Sequence, residues 1–273
     1  MSIHNILVAF NGSDSAVSAL KYAASLARGG SAHVTVLLAH SSHEVVNSRD
    51  AWVPKKAQEI IAAANAEILD KIEERFNAVK DGLGLEDRLS FQRASGRVDA
   101  VLSETARGFD ILVAGQDKSE DVDEHVTIHP DRIALMSGRP VLIVPQGYDV
   151  EATHSHAVLA WDGGHSSARA LSDGLGLLED QGKVTVLTAG DEPLVRPVSE
   201  LLAHLERHGV SASHEPVEAK PGVARALLAY CREKDPCLLI MGAYEHSKFR
   251  EDFLGGVTAR VLRDTPIPVL LSH

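Results

Sequence analysis

The feature that most constrains the fold of this chain is that it repeats itself. ILVAFNGSDSAVSAL (6–20) resembles VLAWDGGHSSARAL (158–171), with Asn11-Gly12 matching Asp162-Gly163. Further along, HVTVL (33–37) matches KVTVL (183–187), and DILVAG (110–115) matches CLLIMG (237–242). SGRPVLIVP (137–145) matches TPIPVLLSH (265–273). Four matched segments in one order divide the 273 residues into two copies of one unit, 1–146 and 155–273, joined through 146–155.

Each copy alternates strand and helix. The run Ile6, Leu7, Val8, Ala9 is short and apolar throughout, as suits a strand covered on both faces. Ser13 is a good helix cap, and Val17, Leu20, Ala24 and Ala27 form one apolar helical face that Gly29-Gly30 ends. A strand at 34–38, a long helix at 55–79 with Ile61, Ile68, Ile72 and Phe76 inward, and a strand at 89–93 follow. Helix 98–107, strand 111–114, helix 131–137 and strand 141–144 complete the copy. The second places strands near Ala157, Val184, Ala212, Cys237 and Val269. This alternation predicts an α/β fold of two tandem Rossmann-like domains, each a five-stranded parallel sheet flanked by helices. Ligands in such sheets bind beyond the carboxyl ends of the strands, where strand order reverses, here between the first and fourth strands of a copy.

Composition excludes several functions. A formal net charge of −11 with no basic run argues against nucleic acid, whose phosphates need clustered Lys and Arg. No apolar stretch approaches membrane-helix length, and MSIHNILVAF lacks the pattern of a signal peptide, so a cytoplasmic protein is expected. The two cysteines, Cys231 and Cys237, read as reduced core thiols. Among the 14 histidines, His125 and His129 have i,i+4 spacing beside Asp117, Glu120, Asp121, Asp123 and Glu124, but Pro130 disfavours a helix at His129. They read as surface-loop residues rather than a metal pair. No Ser-His-Asp order, nucleophile elbow, zinc-protease motif or Walker lysine is present, and no enzyme activity is expected.

The stretch MGAYEHSKFREDFLGGVTARVLRD (241–264), with VLAWDG after the first strand of its copy, resembles the universal stress protein family across nearly the whole chain, twice. Nucleotide-binding members carry G-x-x-G, nine residues, then Gly with Ser or Thr. Here Gly242 and Gly255 keep the interval, Glu245 stands at the second glycine, and Gly256 takes the hydroxyl position. The resemblance implies a stress-response protein, commonly dimeric, that binds ATP or another adenine nucleotide (ADP, AMP), with Mg2+ and little hydrolysis. It places Asp162, with Ala160, Trp161 and Gly163, at the nucleoside, and Val186 beside the adenine. Met241, Gly242, Gly255, Gly256, Val257 and Thr258 fall at the phosphates. Physically, Gly255-Gly256 permits close backbone approach, and a helix starting at Val257 turns free N–H groups toward an anion. Lys248, Arg250 and Arg260 are near enough in sequence to offset the charge of Glu245 wherever they face the crevice. The first copy has Asn11 for the acid and an acidic stretch instead of the glycine loop, so it is expected to be a structural partner without nucleotide. The alternative for the whole chain is a scaffold of the same fold acting through protein partners. The two copies are expected to pair within the chain, and a homodimer of whole chains is compatible with that.

Overall fold

A computed structural model describes residues 3–41, 54–116, 123–150, 156–178, 182–190, 194, 196–243 and 256–273. The first copy contains β1 (Asn5–Ala9), α1 (Asp14–Arg28), β2 (His33–His40), α2 (Lys55–Lys80), β3 (Leu89–Ser95) and α3 (Val98–Ala106), then β4 (Ile111–Gly115), α4 (Pro130–Ser137) and β5 (Val141–Val144). The second repeats that order: β6 (His156–Ala160), α5 (His165–Leu178), β7 (Lys183–Ala189), α6 (Val198–Arg207), β8 (Ser211–Val217), α7 (Val223–Lys234), β9 (Leu238–Gly242), α8 (Val257–Asp264) and β10 (Val269–Ser272).

All ten strands lie in one sheet, ordered β3-β2-β1-β4-β5-β10-β9-β6-β7-β8. Within each copy the pairing is parallel, and strand order reverses between β1 and β4 and again between β6 and β9. The copies meet at an antiparallel seam, Val269 opposite Ile143, Leu270 opposite Leu142 and Leu271 opposite Val141. The two five-stranded sheets expected from the repeat are thus halves of one ten-stranded sheet. Because the seam is antiparallel, the carboxyl ends of β1–β5 and of β6–β10 point to opposite ends of the sheet.

Alternation along each strand feeds two cores, one per face. Ile6, Val8, Leu142, Leu159 and Leu270 pack with α1, the end of α2, α5 and α6. Leu7, Ala9, Ile143, Val158 and Leu271 pack with α3, α4, α7 and α8. The seam residues Leu142, Leu270 and Leu271 are fully buried, so the join belongs to the core rather than to a hinge. Ser13 caps α1, its side chain accepting from the Ala16 N–H at 3.1 Å. The long helix α2 reaches the core only through its C-terminal part. Ile72 and Phe76 are buried, Ile68 is partly covered, and Ile61, expected inward, is only half-buried. Phe76 stacks on Phe91 at 4.7 Å and meets Phe10 edge-on at 6.2 Å.

The segment after β5 is held to both copies. Gly147 N–H donates to Ser18 Oγ at 2.9 Å, and Tyr148 Oη donates to the Cys237 carbonyl at 3.2 Å. Both cysteines are buried thiols outside any disulfide, and Cys237 Sγ donates to the His156 carbonyl at 3.1 Å. Burial pushes the Cys231 thiol up to about 12, against a smaller opposing effect of Arg232. In the folded protein at pH 8, Cys231 should therefore react with a thiol-specific disulfide reagent on the order of a thousandfold more slowly than an unfolded control. Labelling followed by mass mapping checks this; rapid modification of Cys231 without unfolding would contradict the buried placement.

Candidate functional site

The second switch point is built from the carboxyl ends of β6 and β9. Beyond β6, Trp161 continues the ladder, its N–H donating to the Leu187 carbonyl at 2.9 Å. Ala160 and Trp161 are partly exposed and lean on opposite cores. Asp162 Oδ1 accepts from the Gly164 N–H at 3.0 Å, and Gly163 takes a φ of +79°, a conformation that favours glycine. This side-chain-closed turn hands the chain to α5 at His165.

At the end of β9, Met241 is buried in the core and Gly242 is pressed against the start of α5. A Cβ on Gly242 would lie 2.6 Å from the Ser166 carbonyl carbon and 2.7 Å from the Ser167 nitrogen. The first purpose of Gly242 is therefore close strand–helix packing. Gly115 makes the same approach in the first copy, where a Cβ would fall 2.4 Å from the carbonyl carbon of Ser15. Gly256 caps α8 in an extended conformation and is exposed with Val257, while Thr258 is buried. Val261 and Leu262 of α8 join the core that holds Met241 and Ala243. The structure thus brings Ala160, Trp161, Asp162, Gly163, Met241 and Gly242 to one end of the sheet. Gly255, Glu245, Lys248 and Arg250 lie outside the described residues. Val186 is fully buried among core residues of β6, α5 and β7.

Two residues at this end have no counterpart in the sequence argument. His165 opens α5, and its ring meets His273 edge-on at 6.3 Å. His273 Nδ1 donates to the Ala243 carbonyl at 3.1 Å, directly beyond β9. Their separation in sequence hides the pairing; the repeat could have suggested it, since each follows a strand that ends at the same edge.

The first switch point has the same frame with different filling. Asn11 is buried, and its Oδ1 accepts from Ser13 N at 3.1 Å and Ser13 Oγ at 2.8 Å, closing the same kind of turn that Asp162 closes. Gly12 has a φ of +78°, and a Cβ there would stand 3.0 Å from Ile72, so α2 lies directly over this turn. In the second copy it is Leu194 that approaches Gly163, a Cβ there lying 3.4 Å from it. Gln116, one residue past β4, is buried and donates through Nε2 to the Leu262 carbonyl of α8. The end of the first copy's fourth strand is thereby tied to the second copy. Of the acidic stretch, Asp123 and Glu124 are described and the others are not; Asp123 accepts from the His125 N–H at 2.9 Å. His125 Nδ1 contacts Ser41 Oγ at 3.2 Å, and His129 Nδ1 lies 3.0 Å from Asp99. They do not form a helical pair, because α4 begins only at Pro130. Among the described residues no group of three or more His, Cys, Asp or Glu could hold a metal.

The Universal stress protein family model matches residues 2–145 and 199–273. The chain belongs to the universal stress protein family. Universal stress protein Slr1230 of Synechocystis sp. is 27% identical to it, over 97% of this chain and 98% of that protein. The crystal structure of a universal stress protein from Archaeoglobus fulgidus superposes with a TM-score of 0.74 at 15% identity, covering 99% of this chain and 96% of that one. A functionally unknown protein from Pseudomonas aeruginosa gives a TM-score of 0.55 at 14% identity over 99% of this chain and 92% of its own. The family model places the domain in the chain twice, and the solved structures share its fold.

Proposed function

We propose that the C-terminal copy of this universal stress protein binds ATP or another adenine nucleotide, ADP or AMP, with Mg2+ on the phosphates and little or no hydrolysis. On this reading it is a cytoplasmic stress-response protein, and the N-terminal copy is its structural partner. The observation that supports the reading is where the described residues flanking the loop lie. Gly242, the start of the glycine interval, closes β9 at the switch point, and Gly256, the residue after its end, caps α8, whose Val261 and Leu262 share a core with Met241 and Ala243. The connection between them leaves a strand end and returns to a helix start, the arrangement in which backbone amides hold an anion. No catalytic base is assigned, since binding of this kind needs none.

One observation favours the second reading, a scaffold that has lost its nucleotide: Val186, the residue assigned to the adenine, is fully buried. The family resemblance also suggests a homodimer. With β5 and β10 already paired to each other, whole chains would have to associate through another surface.

Nucleotide released by denaturing the purified protein, followed by calorimetric titration with ATP and Mg2+, tests the proposal. The expected result is one nucleotide per chain, weakened roughly tenfold or more by Gly255→Asp, which places a carboxylate in the loop. Absence of heat with both proteins would establish the scaffold reading instead. Steady turnover abolished by replacing one acidic residue would make the protein an enzyme.

A further inference from the structure

Among the described residues, His204 and His208 form an i,i+4 pair at the end of α6, His204 in its last turn and His208 as its C-cap. Both are exposed, and their ring centroids stand 4.7 Å apart at an interplanar angle of 60°. We propose that His204 and His208 form a chelating site for a divalent late first-row transition ion such as Ni2+, Cu2+ or Zn2+, independent of the nucleotide site.

Three features support this. The first is reach. An imidazole nitrogen binds such ions at about 2.0–2.1 Å, which puts the ion roughly 3.2 Å from each ring centre. Two ring centres 4.7 Å apart then subtend about 95° at the ion, an angle that tetrahedral or octahedral coordination tolerates. The second is rigidity. Leu201 and Leu205, on the adjacent stripe of the helix, and Val210, just past its C-cap, are buried, so the helix that carries His204 and the cap that carries His208 are both anchored. The third is electrostatic. The pair sits at the carboxyl end of α6, the negative end of the helix dipole, on a chain of net charge −11. Glu200, one turn before His204, is engaged by Arg196 at 2.8 Å, and Arg207 is the adverse neighbouring charge. Two protein nitrogens leave the remaining coordination positions to water, so the site is an exchangeable one. Imidazole ligands select the late transition ions over Mg2+ or Ca2+, which take oxygen.

Calorimetric titration of the whole chain with Ni2+ tests the site, using wild type, His204→Ala, His208→Ala and, as a control, His125→Ala. Either substitution in the pair should weaken the tightest Ni2+ event roughly ten- to a hundredfold, because the second nitrogen binds as an intramolecular ligand. His125→Ala should leave it unchanged. Sub-stoichiometric Cu2+ should give an electron paramagnetic resonance spectrum with two coupled imidazole nitrogens in wild type and one in either pair variant. Both rings are exposed, so the variants should unfold at the wild-type temperature without metal. An unaltered Ni2+ event in His204→Ala would overturn the proposal. So would the lack of any Ni2+ event in wild type below millimolar concentration.

Discussion

Gly115→Ala and Gly242→Ala are each expected to lower the free energy of unfolding by about 3 kcal/mol, the upper range for an overpacked core. A single methyl group at either position would fall well inside contact distance of backbone atoms at the start of α1 or α5. Backbone cannot turn away as a flexible side chain can, so the strand end and the helix must separate. Equilibrium unfolding in urea measures the loss. The two substitutions should cost about the same, although only the second lies in the candidate nucleotide site. A cost under about 1 kcal/mol at both positions would show that strand and helix are not packed this closely. A large cost at Gly242 alone would point to a role there beyond packing.

The second large effect is expected at the seam. Leu270 is fully buried opposite Leu142, with core on both sides of the sheet. Leu270→Asp should cost roughly 4 kcal/mol or more, since it removes a core side chain and puts an ionisable group where water cannot reach it. Leu270→Ala should cost less, about 3 kcal/mol, from the lost contacts and the cavity alone. Urea unfolding monitored by both tryptophans, Trp52 in the first copy and Trp161 in the second, should change from one transition toward two as the copies lose their shared core. A single transition with nearly wild-type midpoint in the Asp variant would contradict a load shared across the seam.

The order and kind of the strands and helices were legible because two physical signals coincide in this chain. Apolar runs such as ILVA and VLIV mark strands buried on both faces, and the repeat supplies an independent second reading of each one. Ser13 marked a helix start for a local hydrogen-bonding reason, and the helix expected from residue 131 begins one residue earlier, at Pro130, whose fixed φ suits a first helical position. The join between the copies was not legible. VLIV and VLLS read the same whether the outer edge of the strand meets another strand or a helix, because the side chains report the faces and the backbone edge leaves no trace in them. The helix α2 shows a related limit. Its apolar periodicity includes Ile61 and Ile68, but only Ile72 and Phe76 are buried.

The candidate site divides in the same way. The turn at Asp162-Gly163 and the strand end at Gly242 were found from the repeat and the fold rule, and they do lie together. What each residue does there was harder to read. Gly242 looked like part of an anion loop, yet Gly115 makes the same contact with no such loop after it. Val186 sits in the strand KVTVLTA, and no pattern within VTVL says which side chain would face a crevice. The His165–His273 contact joins residues brought together only by the closing of the sheet.

The seam also has a symmetry. By the repeat, Val141 corresponds to Val269, Leu142 to Leu270 and Ile143 to Leu271. The observed partners are Ile143 with Val269, Leu142 with Leu270 and Val141 with Leu271. Exchanging the copies therefore returns the same set of pairs, so a pseudo-twofold axis passes between Leu142 and Leu270. This is the isologous contact of a symmetric dimer, made here inside one polypeptide. A contact of that kind between separate chains dissolves on dilution and binds its two members to one sequence. Inside a single chain it does neither: the association survives at any concentration, and each copy can change alone. The twofold is kept where the strands meet, while Asn11 opposite Asp162 and Gln116 opposite Ala243 depart from it at the far ends of the sheet.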